Sequence, residues 1–149
     1  MKIVQVDEKQ VEGLCVRTTN ADEMSPETSR IGNLWQNFYE KIIPNLAGDA
    51  IVYGVYYDYE SDADGEFSVL AGADKLEKSL EENIKEVSIK NGSYMVFEAK
   101  GDMPQVVIDT WLKIWDYFSA ENAQHRRAYT TDFELYKSQD EIEIYIAIK

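Results

Sequence analysis

The length and composition of this 149-residue chain favour one globular domain and exclude a disordered chain, because 44% of its residues are hydrophobic. Fifteen basic residues against 28 acidic residues give a formal net charge of −13, which argues against direct nucleic-acid binding and against anionic membrane surfaces. With no signal peptide at the start and no apolar run long enough to span a bilayer, the sequence predicts a soluble, cytoplasmic domain over residues 1–149.

The first half of the chain is predicted to form two strands, an amphipathic helix and a strand hairpin. Alternating apolar residues indicate strands around 2–6 and 11–19. Ser25 is a suitable helix N-cap, and an apolar stripe with helical spacing follows it. The stripe consists of Ile31, Leu34, Trp35, Phe38, Tyr39 and Ile42. Strands over 51–60 and 66–73 then form the hairpin.

The second half is predicted to contain the same kinds of element. Two strands flank an Asn-Gly turn within 84–100. A second helix opens at Asp102, which has capping-box spacing with Gln105. Its inward stripe is Val107, Ile108, Trp111, Ile114, Trp115 and Phe118. Strands over 132–138 and 141–149 finish the chain.

The order of the predicted elements repeats along the chain. Strand, helix and hairpin over 11–74 recur over 92–148, which indicates two pseudo-repeats within one domain. The predicted fold is therefore α+β, with duplicated βαββ units, two helices packed on one antiparallel sheet and a central cleft between the helices. Aligning the two halves puts Tyr57 over Glu134, so these two side chains are expected to meet near the pseudo-two-fold axis.

The segment DFELYKS contains the most informative acid in the sequence. Glu134 lies in an alternating strand with aromatic neighbours, and Trp35 and Trp111 come from the two helices. A carboxylate surrounded by aromatic rings suits an organic cation, because it supplies the opposite charge while the rings add cation–π attraction. Burial without a partner would raise the pKa of this carboxyl group. The alternative is an ordinary solvated acid on a strand in a very acidic protein.

Six motifs resemble a known family of bacterial ligand-binding domains. They are LWQNFY, IVYGVYYDY, GSYMVFEAKG, WLKIWDYF, FELY and IYIAI, in this order along nearly the whole chain. The chain is similar to the gyrase-inhibitory-protein-like, or AraC-type, effector-binding domains. That resemblance implies a duplicated βαββ fold, a lipophilic and often cationic ligand in the central cleft, and Glu134 as its electrostatic anchor. Ala147 stands where the family usually has proline, and the sequence predicts a stand-alone effector-binding protein rather than a transcription factor.

Further candidates for the cleft are aromatic residues on the predicted strands. Tyr136 shares the face of Glu134, and Phe97 and Tyr145 are weaker candidates. Strand alternation sends Tyr56 to the face opposite Tyr57, so Tyr57 is the predicted ligand contact. The full predicted binding set is Glu134, Trp111, Trp35, Tyr57, Tyr136, Phe97 and Tyr145. No cofactor or metal is predicted, since one cysteine excludes a cysteine-rich metal site and no phosphate-binding glycine loop is present.

Two other functions remain open at the level of sequence. A carboxyl group with a raised pKa beside a tyrosine suits general acid–base chemistry, which would make the chain a hydrolase of a reactive small molecule. An acidic outer surface would instead suit a basic protein partner, as in an inhibitor of a DNA-acting enzyme. The location of the charge separates these functions, because one buried acid favours a cationic ligand and a clustered acidic face favours a protein partner.

Overall fold

Eight strands and three helices form the described part of the chain, which the computed structural model covers over residues 2–46, 48–62, 64–75 and 84–149. The strands are β1 (Lys2–Val6), β2 (Lys9–Thr18), β3 (Val52–Tyr57), β4 (Phe67–Ala73), β5 (Lys85–Ile89), β6 (Gly92–Lys100), β7 (Arg127–Tyr136) and β8 (Glu141–Ile148). The helices are α1 (Asn20–Glu23), α2 (Ile31–Lys41) and α3 (Gln105–Ser119), and a 3-10 turn, Ile43–Asn45, follows α2.

The strands form one antiparallel sheet in the order β1-β6-β8-β7-β3-β4-β2-β5. Within this sheet the unit β2-α2-β3-β4 is followed by the unit β6-α3-β7-β8, which has the same order of strand, helix and hairpin. The strands β3 and β7, one from each unit, pair at the centre of the sheet. The predicted α+β fold of duplicated βαββ units is therefore confirmed.

The two long helices bury their apolar stripes against one face of the sheet. Under α2, Leu34 and Phe38 pack in a buried cluster with Val69 of β4. Under α3, Ile114 packs in a second cluster with Ile144 of β8. Because side chains alternate along a strand, the opposite face of the sheet holds a third buried cluster. That cluster includes Tyr53, Val55, Tyr94 and Phe133.

The first long helix begins at Ile31, later than the predicted N-cap Ser25 implies. Thr19 accepts a backbone hydrogen bond through Oγ1 and starts the short α1 instead. The Glu23 carboxylate then accepts hydrogen bonds from the backbone N–H groups of Arg30 (2.8 Å) and Ile31 (3.1 Å). A carboxylate at this point satisfies free N–H groups and interacts favourably with the helix dipole.

The second long helix starts without the predicted capping box. Gln105 donates through Nε2 to Asp109 Oδ1 (2.8 Å), one turn further along the helix. The backbone carbonyl of Asp102 instead accepts the N–H of Val106 (2.9 Å).

Among the described residues, no helix combines the length and the apolar character that crossing a bilayer requires.

Candidate functional site

A cavity of about 1250 Å³ lies over the strands β3 and β7, between the two long helices. Its wall is largely aromatic, and the three tryptophans of the chain, Trp35, Trp111 and Trp115, all line it. Tyr56, Tyr59 and Tyr136 line it as well, and Glu134 contributes a carboxylate. We call this cavity the cleft. Two residues of the predicted helix stripes, Tyr39 and Ile108, also line it and are exposed by 58% and 49%.

The carboxylate of Glu134 is buried in the cleft floor, with the residue only 1% exposed. Three neutral groups donate hydrogen bonds to it. Trp111 Nε1 (2.7 Å) and the Tyr56 hydroxyl (2.8 Å) donate to Oε2, and the Tyr136 hydroxyl (2.8 Å) donates to Oε1. The ion pairs found among the described residues do not include Glu134. This carboxylate is therefore solvated by dipoles but has no counter-charge there.

Burial and hydrogen bonding act in opposite directions on the pKa of Glu134. Loss of water around the carboxylate raises its pKa above the ordinary value of 4.5, and this effect dominates. The hydrogen bonds from Trp111, Tyr136 and Tyr56 stabilise the ionised form and lower the pKa in part. The site therefore holds an acid that an added positive charge would strongly stabilise in its ionised form.

Aromatic rings surround this carboxylate on several sides. Trp35 of α2 and Tyr136 of β7 have ring centroids 5.2 Å apart in an edge-to-face arrangement. Tyr56 of β3 and Trp111 of α3 are 5.0 Å apart, and Trp115 continues this wall 6.2 Å from Trp111. Edge-to-face packing fixes the rings relative to one another and leaves flat apolar surface toward the cavity. Both helices and both central strands thus contribute to one site.

The structure brings four of the seven predicted binding residues together in the cleft, namely Trp35, Trp111, Glu134 and Tyr136. Tyr57 is not among them, because it packs against the cluster on the opposite face of the sheet. The alignment that chose Tyr57 used an offset of 134 − 57 = 77 residues. The β3–β7 ladder pairs Gly54 with Glu134, which puts Tyr56 on the face of Glu134 and Tyr57 on the other face, so the alignment was one residue out of register. Tyr56 is the residue that faces Glu134.

Phe97 and Tyr145 also lie outside the cleft. Phe97 packs under the end of α3, with ring centroids 6.1 Å from Tyr117 and 6.3 Å from Phe118. Tyr145 stacks on Phe133 at 4.4 Å, on the opposite face of the sheet. Both predictions rested on aromatic character alone. Tyr145 is on the wrong face of the sheet, whereas Phe97 is on the helix-covered face but is covered by α3.

Sequence reasoning missed Arg127, which lines the same cleft although it is only 8% exposed. Its Nη2 forms an ion pair with Asp132 Oδ2 at 2.7 Å, and the Tyr59 hydroxyl donates to the same oxygen. The signal available in the sequence was weak, because QHRR has the composition of a surface loop. An irregularity in β7 between Arg127 and Asp132 produces the contact.

The chemistry of this arrangement favours binding of an organic cation rather than of a metal ion. Both oxygens of Glu134 already accept hydrogen bonds, and within the described part of the chain these bonds come from Trp111, Tyr56 and Tyr136. Over the ranges that the structure describes, no group of three or more His, Cys, Asp or Glu side chains is placed to hold a metal ion. Flat rings and a buried carboxylate without a counter-charge suit a large cation with a dispersed charge.

Comparisons with known proteins find a matching family and several relatives. The family model Cass2, integron-associated effector binding protein, matches residues 2–148. The chain is 28% identical over 159 residues to the protein YobU of Bacillus subtilis (strain 168), and the match covers 99% of this chain and 96% of that protein.

Two solved structures extend the comparison. The integron cassette protein VCH_CASS2, from the mobile metagenome of Vibrio cholerae, is 48% identical with a TM-score of 0.93 over 99% of this chain and 95% of that chain. The structure of SAV2435 bound to tetraphenylphosphonium has a TM-score of 0.71 at 19% identity, over 99% of this chain and 93% of that chain. At this low identity the second likeness is one of fold.

Proposed function

Since this chain belongs to the Cass2 family of integron-associated effector binding proteins, we propose that it binds lipophilic organic cations in the cleft, with Glu134 as the charge anchor. Membership of this family, within the gyrase-inhibitory-protein-like superfamily, confirms the resemblance that the sequence motifs indicate. The proposal goes further than the family, because it names the charge of the ligand and the residue that recognises it.

The observation that carries the proposal is the buried, unneutralised carboxylate of Glu134. An ionised carboxylate in an apolar site is costly unless a positive charge compensates it. The three groups that contact this carboxylate, Trp111, Tyr56 and Tyr136, are neutral donors. A cation that enters the cleft would supply the missing charge, and it would be held by both Coulomb attraction and the exclusion of water.

The walls of the cleft support a ligand that is lipophilic as well as cationic. Tryptophan and tyrosine faces attract a positive charge within about 6 Å of a ring centroid and also bury apolar surface. SAV2435, which shares the fold, has been solved with tetraphenylphosphonium, a cation with four aromatic rings. A cavity of about 1250 Å³ is large enough for a ligand of that class.

The experiment that tests the proposal uses two ligands of nearly the same shape and different charge. Methyltriphenylphosphonium carries a positive charge, and triphenylphosphine oxide is neutral. Because all three tryptophans line the cleft, quenching of tryptophan fluorescence reports its occupancy. We expect the cation to bind more tightly than the neutral compound. We also expect Glu134→Gln to weaken binding of the cation by about 1–3 kcal/mol.

A matched control comes from a second buried acid of this chain. Glu143 is 8% exposed on β8, where it accepts a hydrogen bond from Tyr145 on the face opposite the cleft. Glu143→Gln changes the net charge equally and should leave the affinity for the cation unchanged. Equal weakening of both ligands by Glu134→Gln would contradict the anchor role. No quenching by either ligand would instead favour a protein partner for the acidic surface.

A further inference from the structure

We propose that Arg127 acts as a built-in cation: its guanidinium fills a second acid–aromatic site beside Glu134, so that the cleft favours ligands with one positive charge over ligands with two. The second site consists of Asp132, Tyr59 and Tyr129. The inference rests on the proposed function for the ligand at Glu134, and it adds a residue that determines how many charges that ligand carries.

The two acids occupy equivalent positions on one strand. Asp132 and Glu134 are two residues apart on β7, so their side chains leave the same face of the sheet, with backbones separated by roughly 7 Å. Asp132 is 0% exposed and accepts a hydrogen bond from the Tyr59 hydroxyl, as Glu134 does from the hydroxyl of Tyr56. Asp132 also accepts the backbone N–H of Ala147 at 2.9 Å. The difference is the counter-charge, because only Asp132 has a guanidinium at 2.7 Å.

The guanidinium of Arg127 lies against aromatic rings as a bound cation would. Its Cζ is 4.5 Å from the ring centroid of Tyr129 and 5.8 Å from that of Tyr59. These distances are within the range of cation–π attraction. Both Arg127 and Tyr59 line the cleft, so this site opens on the same cavity as Glu134.

The backbone of β7 departs from regular geometry to place this side chain. In a regular strand, Arg127 and Asp132 would be roughly 17 Å apart and on opposite faces, since five steps separate them. The pairing with β8 instead jumps from Arg127↔Ile148 to Asp132↔Ile146, which gives β7 three extra residues. Within this bulge Tyr129 has a φ of 55°, which is uncommon for a non-glycine residue. Such strain persists where the surrounding structure requires the conformation.

The guanidinium of Arg127 also has one buried nitrogen, Nε, without a hydrogen-bond acceptor among the described residues. The guanidinium is held through Nη2, by Asp132 and more weakly by the Tyr59 hydroxyl at 3.4 Å. Charge pairing with Asp132 and contact with the rings, rather than a complete set of hydrogen bonds, therefore keep this side chain in the cleft.

The consequence for ligands concerns the number of positive charges. Arg127 neutralises Asp132, so an entering ligand meets Glu134 as the uncompensated buried acid of the cleft floor. A ligand with a second positive charge near Asp132 would meet the fixed guanidinium in a site with little water, and like charges there repel strongly. Arg127 thus favours ligands with one positive charge over ligands with two.

The test compares ethidium with propidium, which share the same aromatic cation. Propidium carries a second quaternary ammonium on a short chain. We expect the wild-type protein to bind ethidium at least as tightly as propidium. In Arg127→Ala and in Arg127→Met, which keeps the apolar length, the ratio of propidium affinity to ethidium affinity should rise by about tenfold or more. The added substitution Asp132→Asn should abolish that rise, because it removes the second acid.

Guanidinium ion provides a readout that does not depend on a lipophilic ligand. At millimolar concentration it should raise the melting temperature of Arg127→Ala above the value in sodium chloride of equal ionic strength. It should not do so for the wild type or for Arg127→Ala/Asp132→Asn. The inference would be overturned if Arg127→Ala and Arg127→Met both fold, keep the wild-type ratio of propidium to ethidium affinity, and guanidinium does not stabilise Arg127→Ala. If wild-type protein binds neither dye, the proposed function fails, and the guanidinium experiment still decides the role of Arg127.

Discussion

Gly54 and Glu134 are paired directly opposite each other on β3 and β7, and the missing side chain of Gly54 leaves the space that the carboxylate occupies. A Cβ atom at position 54 would be 2.6 Å from Glu134 Oε1 and 3.0 Å from Cζ2 of Trp35. The glycine therefore lets an acid of one βαββ unit lie flat against the backbone of the other, under a ring of α2.

We predict that Gly54→Ala weakens cation binding more than it weakens binding of a neutral compound. The new methyl group must displace the carboxylate, which would lengthen its hydrogen bonds from Tyr136 and Trp111. Overpacking of this kind costs about 1–3 kcal/mol in stability, which thermal unfolding would measure. Gly48→Ala is the control, because nothing lies within 4 Å of that position and it does not line the cleft. Equal affinities in the two variants would contradict a role for Gly54 in placing the carboxylate.

The affinity for a cation should increase with pH. Burial raises the pKa of Glu134 above 4.5, so part of the protein has a neutral Glu134 in the range just above that value. As the pH rises through the raised pKa, the carboxyl group loses its proton and becomes able to attract the cation. Titrations of methyltriphenylphosphonium between pH 4.5 and pH 8 would measure this dependence. Glu134→Gln and the neutral phosphine oxide should both give flat profiles, and a flat wild-type profile would refute the prediction.

Trp111→Phe should shift this pH profile to higher pH. The indole N–H is a hydrogen-bond donor that lowers the pKa of Glu134, and phenylalanine keeps a ring but has no donor. Loss of a hydrogen bond to a charged group costs about 1.5–3 kcal/mol of stability, so this variant should also unfold at a lower temperature when Glu134 is ionised. In Trp35→Phe, which removes no hydrogen bond to Glu134, the midpoint should stay in place while the affinities for charged and neutral ligands fall together. Identical pH midpoints in the two variants would argue against the hydrogen bond.

Glu23→Ala should destabilise the protein. The Glu23 carboxylate accepts the N–H groups of Arg30 and Ile31 and the hydroxyl of Thr18, at 2.7 Å for the last. Loss of a helix cap costs about 0.5–2 kcal/mol, and chemical denaturation would measure the change. A stability equal to that of the wild type would show that solvent replaces this cap.

The sequence is sufficient to predict the duplicated fold and the central acid, because both depend on local patterns. The stripe around Leu34 and Phe38 has helical spacing, and the strand around Glu134 alternates, so each element follows from its own residues. Glu134 stands out because a charged residue between Phe133 and Leu135 faces a surface that Tyr136 makes aromatic.

Features that depend on register or on distant partners could not be read in this way. An offset of one residue between the two halves is enough to exchange Tyr56 for Tyr57 in the cleft. Arg127 reaches Asp132 through a bulge that the composition of β7 does not reveal. The start of α2 depends on Glu23, which lies eight positions before Ile31 and outside the helix it caps.

The β3–β7 ladder described above is also the seam that joins the two βαββ units within the sheet. Any ligand that rests on Glu134 and Tyr56 spans this seam and contacts residues 78 positions apart in the chain. Separating the two units would break the site and release the ligand. Ligand binding should therefore raise the free energy needed to separate them. Amide hydrogen exchange along β3 and β7 would slow together when the cleft is filled, although only one of these strands carries the acid.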